Sequence, residues 1–259
     1  PAPANLAEEI ALLERQSKEE TEKIYANLSS WQKVLVARHP NRPHTIDYIA
    51  NVFDGFEEMH GDRLSEDDKA IVGGLAFLEN YPVVIIGHEK GRETEDRVAR
   101  NFGMPHPSGF RKANRLMKLA EKFSIPVLTL IDTPGAYPGV KAEHSGQHEA
   151  IAKSLEIMSD LQTPVVNLVI GEGGSGGGFG LGLADRIGML EYSIYSVASP
   201  EACASILWRT AKNAEEAADA LKLDADNLVE LGIIDHVVRE PIGGAHRNHE
   251  ETYKAVKRY

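Results

Sequence analysis

The chain has 259 residues, 42% of them hydrophobic and 26% charged, and carries a formal net charge of -11. That balance is an ordinary globular one, and its negative field repels polyanions, which excludes non-specific binding to nucleic acid or to an anionic membrane. The single cysteine, Cys203, excludes a disulfide framework and a cysteine-built zinc site within the chain, and no apolar run approaches the roughly 18 residues of a membrane span.

Residues 4–37 carry apolar side chains at Leu6, Ile10, Leu13, Ile24, Leu28, Trp31 and Leu35, which predicts one or two amphipathic helices packed on their own domain or on a partner subunit. The prolines of "RHPNRP" then stop the helix. This divides the chain into a helical extension, 1–45, and a main domain, 46–259. "AIVGGLAFLENYPVVIIGHEKG" reads as two strands joined by a turn at Glu79–Tyr81, and Phe110–Phe123 as a helix burying Phe110, Ala113, Leu116, Met117, Ala120 and Phe123. A strand in "IPVLTLIDTPG", a helix over Gly146–Leu161 and a strand in "TPVVNLVIGEG" follow. Both strands are near-continuous in Val, Leu and Ile, start after a proline and end at a glycine turn, the pattern of parallel strands buried on both faces. They recur at a spacing of about 38 residues. A short helix through Ala184, one strand in "RIGMLEYSIYSVAS" and a last strand in "LGIIDHVV" complete an α/β chain with a tail of His and basic residues.

"GEGGSGGGFGLG", Gly171–Gly182, has seven glycines in its first ten residues and admits three chemistries. Gly171, Gly173 and Gly176 spell the dinucleotide fingerprint, with Glu191 where a ribose-binding acid would stand, although three strands precede it. Gly173, Ser175 and Gly177 spell a nucleophile elbow, with Asp226 or Asp235 and His246 or His249 following in the order a hydrolase needs. The third chemistry is an oxyanion site of backbone N–H groups with no reacting side chain. "DTPG", Asp132–Gly135, matches a GTPase switch, but no phosphate loop accompanies it. His144 and His148 in "HSGQH" stand one helical turn apart without an evident third metal ligand, and Cys203 in "SPEACASILW" lies on an apolar helical face, which predicts a core position. Arg97, Arg100, Arg111, Lys112, Arg115 and Lys118 fall in a stretch with no acid, which suggests an anionic ligand or an acidic subunit face, or else a solvated helix face.

The blocks "KGRET", "NFGMP", "IDTPGAYPGV", "VIGEGGSGG", "YSVASPEACASILW" and "PIGGAHRN" together resemble the alpha subunits of multisubunit acetyl-CoA carboxylase carboxyltransferases, bacterial or plastid, over about Trp31–Asn248. The resemblance implies a crotonase/ClpP-like spiral of repeated strand and helix units. It implies carboxyl transfer from carboxybiotin, presented by a biotin carboxyl carrier protein, to acetyl-CoA, giving malonyl-CoA. It also implies a zinc-ribbon beta subunit, a shared active site, an alpha2-beta2 complex, and no metal or nucleotide bound by this chain. Cytoplasm or plastid stroma is the expected location, since the N-terminus shows no secretory pattern. The matching glycine pair, Gly176 and Gly177, becomes the oxyanion hole for the biotin carbonyl, with Gly173, Gly174, Ser175, Gly135 and Ala136 beside it and Arg111 and Arg115 as anion-binding candidates. Glycine suits the pair because a Cβ would obstruct close approach of an oxygen to the N–H groups. Phe179 departs from the small residues expected there, and is expected either to enter the core or to narrow the biotin pocket.

Overall fold

The computed structural model describes residues 4–259. In chain order its elements are α1 (Ala4–Tyr25), α2 (Ser30–Ala37), α3 (Thr45–Val52), β1 (Asp54–Glu58), β2 (Ile71–Leu78), β3 (Tyr81–His88), α4 (Thr94–Ala99), α5 (Pro107–Phe123), β4 (Val127–Thr133), α6 (Val140–His144), α7 (Gln147–Asp160), β5 (Val165–Gly174), α8 (Ser175–Phe179), β6 (Arg186–Leu190), β7 (Ile194–Ser196), α9 (Pro200–Trp208), α10 (Ala214–Leu221), α11 (Ala225–Glu230), β8 (His236–Val238) and α12 (His249–Arg258). The strands form one sheet in the order β1-β2-β3-β4-β5-β6-β8, with β7 pairing β5 off that path. β1, β2 and β3 are antiparallel neighbours, and every later pairing is parallel. The repeat anticipated between β4 and β5 is realised in register, because Val127 lies opposite Val165.

Alternation along the strands divides the core. Val84, Ile86, Ile131, Val165 and Val169 face Leu116 and Met117 of α5 and Ile157 and Met158 of α7. Val83, Ile85, Leu130, Leu168 and Ile170 face Tyr48, Ile49 and Val52 of α3 and Val256 of α12. Each fully buried residue of this kind stabilises the fold by roughly 1.5–3 kcal/mol, so the sheet is the rigid reference for whatever its loops carry. The turn between β2 and β3 sits where the sequence places it, with Glu79 in the left-handed region.

Several local expectations change. Phe123 is 61% exposed because α5 ends there at a left-handed Ser124, which turns the last residue off the buried face. Cys203 is half-buried rather than a core residue. "RIGMLEYSIYSVAS" contains two strands, since the chain turns at Glu191–Ser193 to leave β6 and pair β7 with the far end of β5. The basic tail contains α12, whose Tyr253 and Val256 cover the sheet. Residues 30–44 are knitted into the main body: α2 buries Val34 and Ala37 against Ile194, Ala218 and Leu223, and Arg42 donates to Ile170 O at 3.0 Å and to Glu240 Oε1 at 2.8 Å. α1 is different, with its apolar Leu6, Ile10, Leu13 and Ile24 between 45% and 58% exposed.

Candidate functional site

β5 is long enough to pair two different strands along one edge. Its first half pairs β6 through Val166–Val169, and its last residues, Glu172–Gly174, pair β7 through Ile194–Ser196. The end of β4 follows it, with Thr133 opposite Gly173. The two strand ends therefore deliver two turns side by side: Pro134–Ala136 after β4 and Ser175–Gly177 after β5.

How closely the turns approach explains the glycines. A Cβ on Gly177 would press on the Gly135 carbonyl carbon, 2.6 Å from Gly135 O and 2.7 Å from Ala136 N. One on Gly174 would collide with the Pro134 carbonyl group. These neighbours are backbone and cannot swing away. Gly176 differs, because its Cβ would meet only the end of Ile151 at 3.1 Å. Thr133 Oγ1 donates to Gly135 O at 2.8 Å and accepts from Gly135 N at 3.1 Å, fixing the first turn. The loop beyond is held by Gln147 Nε2, which donates to the Pro105 and Tyr137 carbonyls, and by Tyr137 stacked on His106 at 4.2 Å.

Ser175 opens α8 with φ 47, a left-handed conformation that a non-glycine residue adopts at a cost of about 1 kcal/mol. The first N–H groups of a helix have no acceptor within it. Among the described residues, those of Ser175, Gly176 and Gly177 bond to no side chain and to no loop carbonyl. Ser175 is exposed, Gly176 half-buried and Gly177 buried, so the turn opens to the surface at Ser175 and runs inward from there. Recesses of about 740 and 860 Å³ lie elsewhere, along α12 and between α1 and the Pro241–Asn248 segment.

Behind the turns lies an ionic network that the sequence reading did not identify. Lys90 Nζ is 2.6 Å from Asp132 Oδ1 and 2.9 Å from Glu172 Oε2. Arg38 Nε donates to Glu172 Oε1 at 2.7 Å, and its Nη1 reaches Glu201 Oε1 at 2.5 Å. Burial works against the Glu172 carboxylate, but Lys90 and Arg38 outweigh it and hold its pKa down at about 2. Burial likewise disfavours the Lys90 ammonium, and the Asp132 and Glu172 carboxylates more than offset this, raising its pKa. A signal for these residues was present: Asp132 ends an apolar strand and Glu172 interrupts a glycine run, and a charge carried into such surroundings must be paired. His88, at the end of β3, is also buried. Neither ring nitrogen completes a hydrogen bond, and burial lowers its pKa to about 3, partly opposed by the nearby carbonyls of Leu130 and Gly177.

Thus Gly135, Ala136, Gly173, Gly174, Ser175, Gly176 and Gly177 are brought together, whereas Arg111 and Arg115 are not with them. Arg111 Nε donates to Asp62 at 2.9 Å, and Arg115 donates to the carbonyls of Met59, His60 and Gly61. Lys112, fully buried, donates to Asp67 and to Asp68 O. Two cations of the acid-free stretch, Arg111 and Lys112, therefore find acids in the 59–70 loop, and Arg100 pairs with Asp96. Phe179 does not enter the core; it is 42% exposed, 5.8 Å from the Tyr195 ring.

The competing motifs lose their parts. Asp226 and Asp235 pair with Lys33 and Arg186, His246 stacks on His39, and His249 meets Asn41 O; none of them bonds to Ser175. Glu191 stands at the end of β6 but is taken by Arg239 and by Glu240 N. His144 and His148 are both exposed and fall in separate helices, α6 and α7, because the chain turns between them at Gly146. Among the described residues no helix is long and apolar enough to cross a membrane.

Comparison with known proteins places this geometry. Over 253 residues, 98% of this chain and 80% of the relative, the sequence is 58% identical to the acetyl-coenzyme A carboxylase carboxyl transferase subunit alpha of Actinobacillus succinogenes. The subunit of the same name from Thioalkalivibrio sulfidiphilus is 58% identical over 250 residues, 96% of this chain and 78% of the relative. In fold the chain is similar to transcarboxylase 12S, solved with methylmalonyl-coenzyme A and methylmalonic acid bound, with a TM-score of 0.66 at 19% identity. That likeness covers 84% of this chain and 42% of the other. The fold is thus that of the crotonase-type carboxyltransferases. With the family model for acetyl co-enzyme A carboxylase carboxyltransferase-like proteins matching residues 2–259, this chain belongs to that family.

Proposed function

We propose that this chain is the alpha half of a carboxyltransferase that makes malonyl-CoA from acetyl-CoA, the reaction that commits acetyl units to fatty acid synthesis. The observation that carries the reading is the pair of side-chain-free residues, Gly176 and Gly177, in a turn that reaches the surface at Ser175, with no acid–His relay bonded to Ser175. Carboxybiotin, presented by a carrier protein, supplies the carboxyl group. The residues fit such a group: the turn's N–H groups are taken by no side chain and no loop carbonyl, and its glycines leave the approach clear of Cβ atoms. Gly176 and Gly177 would hold the ureido oxygen and stabilise the negative charge it gains. Preorganised donors of this kind act without reorganising during the reaction, and one is worth about 3 kcal/mol, or a hundredfold in rate. Gly135 and Ala136 back the turn and keep it from collapsing. Because the turn opens to the surface at Ser175, the cleft is completed by a second chain, here a zinc-ribbon beta subunit that binds the acyl thioester. The family resemblance further implies an alpha2-beta2 assembly in cytoplasm or plastid stroma.

The test is to mix this chain with a carboxyltransferase beta subunit and follow biotin-dependent loss of the carboxyl group from malonyl-CoA. Turnover is expected only from the mixture. Full turnover by the isolated chain overturns the shared site, and no turnover by a stable mixture overturns the function.

A further inference from the structure

Two strands end in the turns that form the donor pair, and each carries a carboxylate just before its turn: Asp132 before Pro134–Ala136, and Glu172 before Ser175–Gly177. Left alone, two carboxylates brought together in a largely buried space would push the strand ends apart. Lys90, which follows β3, lies between them with its side chain 18% exposed, against 7% for Asp132 and 10% for Glu172. Asp132 Oδ1 also accepts the Glu172 N–H at 2.9 Å, so one oxygen receives both the ammonium and the neighbouring backbone. Arg38 braces Glu172 from its other oxygen and passes on to Glu201 in α9.

We propose that Lys90 is a positioning residue: its ammonium clamps the end of β4 to the end of β5 and so sets the direction in which Gly176 and Gly177 present their N–H groups. The inference rests on reading that turn as the reactive donor pair. Lysine suits the place because a compact ammonium has three donors and can serve two carboxylates from different strands. Its stem is packed as well, since a Cβ on Gly103 would lie 2.7 Å from Lys90 Cγ. Both acceptors of the ammonium belong to the scaffold, which assigns it to holding the turns together and not to binding substrate. A loss of aim of about 1 Å costs on the order of a hundredfold in rate, so a residue that only holds two turns together can govern kcat.

The experiment compares the wild-type chain, Lys90→Met and Lys90→Arg in complex with the beta subunit, by steady-state kinetics and by hydrogen exchange. Lys90→Met is expected to lower kcat by roughly tenfold to a hundredfold while the acyl-CoA KM stays within about twofold. Exchange is expected to rise in residues 171–180 and to stay unchanged in the buried core of α5. Lys90→Arg, which keeps the charge, is expected to restore part of both. Wild-type kcat and exchange in Lys90→Met overturn the proposal, and so does an exchange increase shared equally by α5. If Lys90→Met does not fold, Glu172→Gln loosens the same clamp with an uncharged isostere, and the same local rise in exchange is required of it. If the wild-type complex transfers no carboxyl group, the functional reading fails and the exchange result alone decides the clamp.

Discussion

At the scale of single residues, the two donor glycines are not equivalent. Gly177 packs on the backbone of Gly135 and Ala136, whereas the space beside Gly176 ends at a flexible Ile151 tip. Gly177→Ala is therefore expected to displace the Gly135 turn and lower kcat in the intact complex by about a hundredfold, the scale of one lost oxyanion donor. Gly176→Ala moves only a side chain, and its loss should stay below about tenfold. Equal effects of the two substitutions, measured with complex formation checked in parallel, would contradict this geometry. Ser175 offers the complementary test. Its left-handed φ of 47 is easier for glycine, while the extra freedom of an unfolded glycine opposes that relief. Ser175→Gly is expected to keep its rate within about threefold and its stability within about 1 kcal/mol. A fluorophosphonate probe should leave wild-type Ser175 unlabelled, because no histidine or acid bonds to it; abolished activity with efficient labelling would restore the serine-hydrolase reading.

Among elements, the 59–70 loop shows what the charge pattern meant. Asp62 accepts from the N–H groups of Leu64, Ser65 and Glu66 and from Ser65 Oγ and Arg111, and Lys112 and Arg115 hold either side. Burial disfavours the Asp62 carboxylate, yet these donors together hold its pKa well below the usual range. Arg111→Ala leaves that side chain, 1% exposed, without its cation. The expected cost is roughly 2 kcal/mol, less than for a bare buried charge because the loop's own N–H groups remain. A lower Tm and faster tryptic cutting after Arg63, with the acyl-CoA KM little changed, would bear this out. A large rise in KM at unchanged Tm would return Arg111 to the substrate. The sequence displayed the cations but could not display their partners, since Asp62, Asp67 and Asp68 are about fifty positions away and only the packing of α5 on the loop brings them near. By contrast, β4, β5 and the glycine turn were legible, because a strand buried on both faces has to be apolar throughout and a backbone approach has to exclude Cβ. β6 and β7 merged in that reading because the turn between them, Glu191–Ser193, lacks glycine and proline. Lys90 and Arg38 stayed hidden for the same reason as the acids of the loop: pairing across strands leaves no local pattern.

For the molecule as a whole, the buried ionisable groups predict how acid unfolds it. His88 titrates near 6.5 when unfolded and near 3 when folded, because burial penalises its charged form. Between those values the unfolded chain binds the extra proton, so stability falls as the pH falls from about 6.5 towards 3 and is unaffected above about 7. One such group contributes up to about 1.4 kcal/mol per pH unit, or roughly 2–3 kcal/mol between pH 6.5 and 4.5. His246, lowered to about 4 by burial and then by His39, adds to the same window, more weakly because it is less enclosed. Glu172 acts lower down: its folded pKa of about 2 lies beneath the ordinary value near 4.5, so its stabilisation is complete above about pH 4.5 and is lost between there and 2. The two windows can be separated by substitution. Urea midpoints measured from pH 7.5 to 3.5 should fall for the wild-type chain in two stages. His88→Leu should flatten the first stage and, by removing two unpaired ring nitrogens, match or exceed wild-type stability at pH 7. Glu172→Gln should leave the first stage intact, lower stability at pH 7, and begin to close the gap to wild type as the pH falls from about 4.5 to 3.5. An unaltered slope between pH 6.5 and 4.5 in His88→Leu would show that the ring beneath Gly177 is not held neutral, and that protonation elsewhere drives the transition.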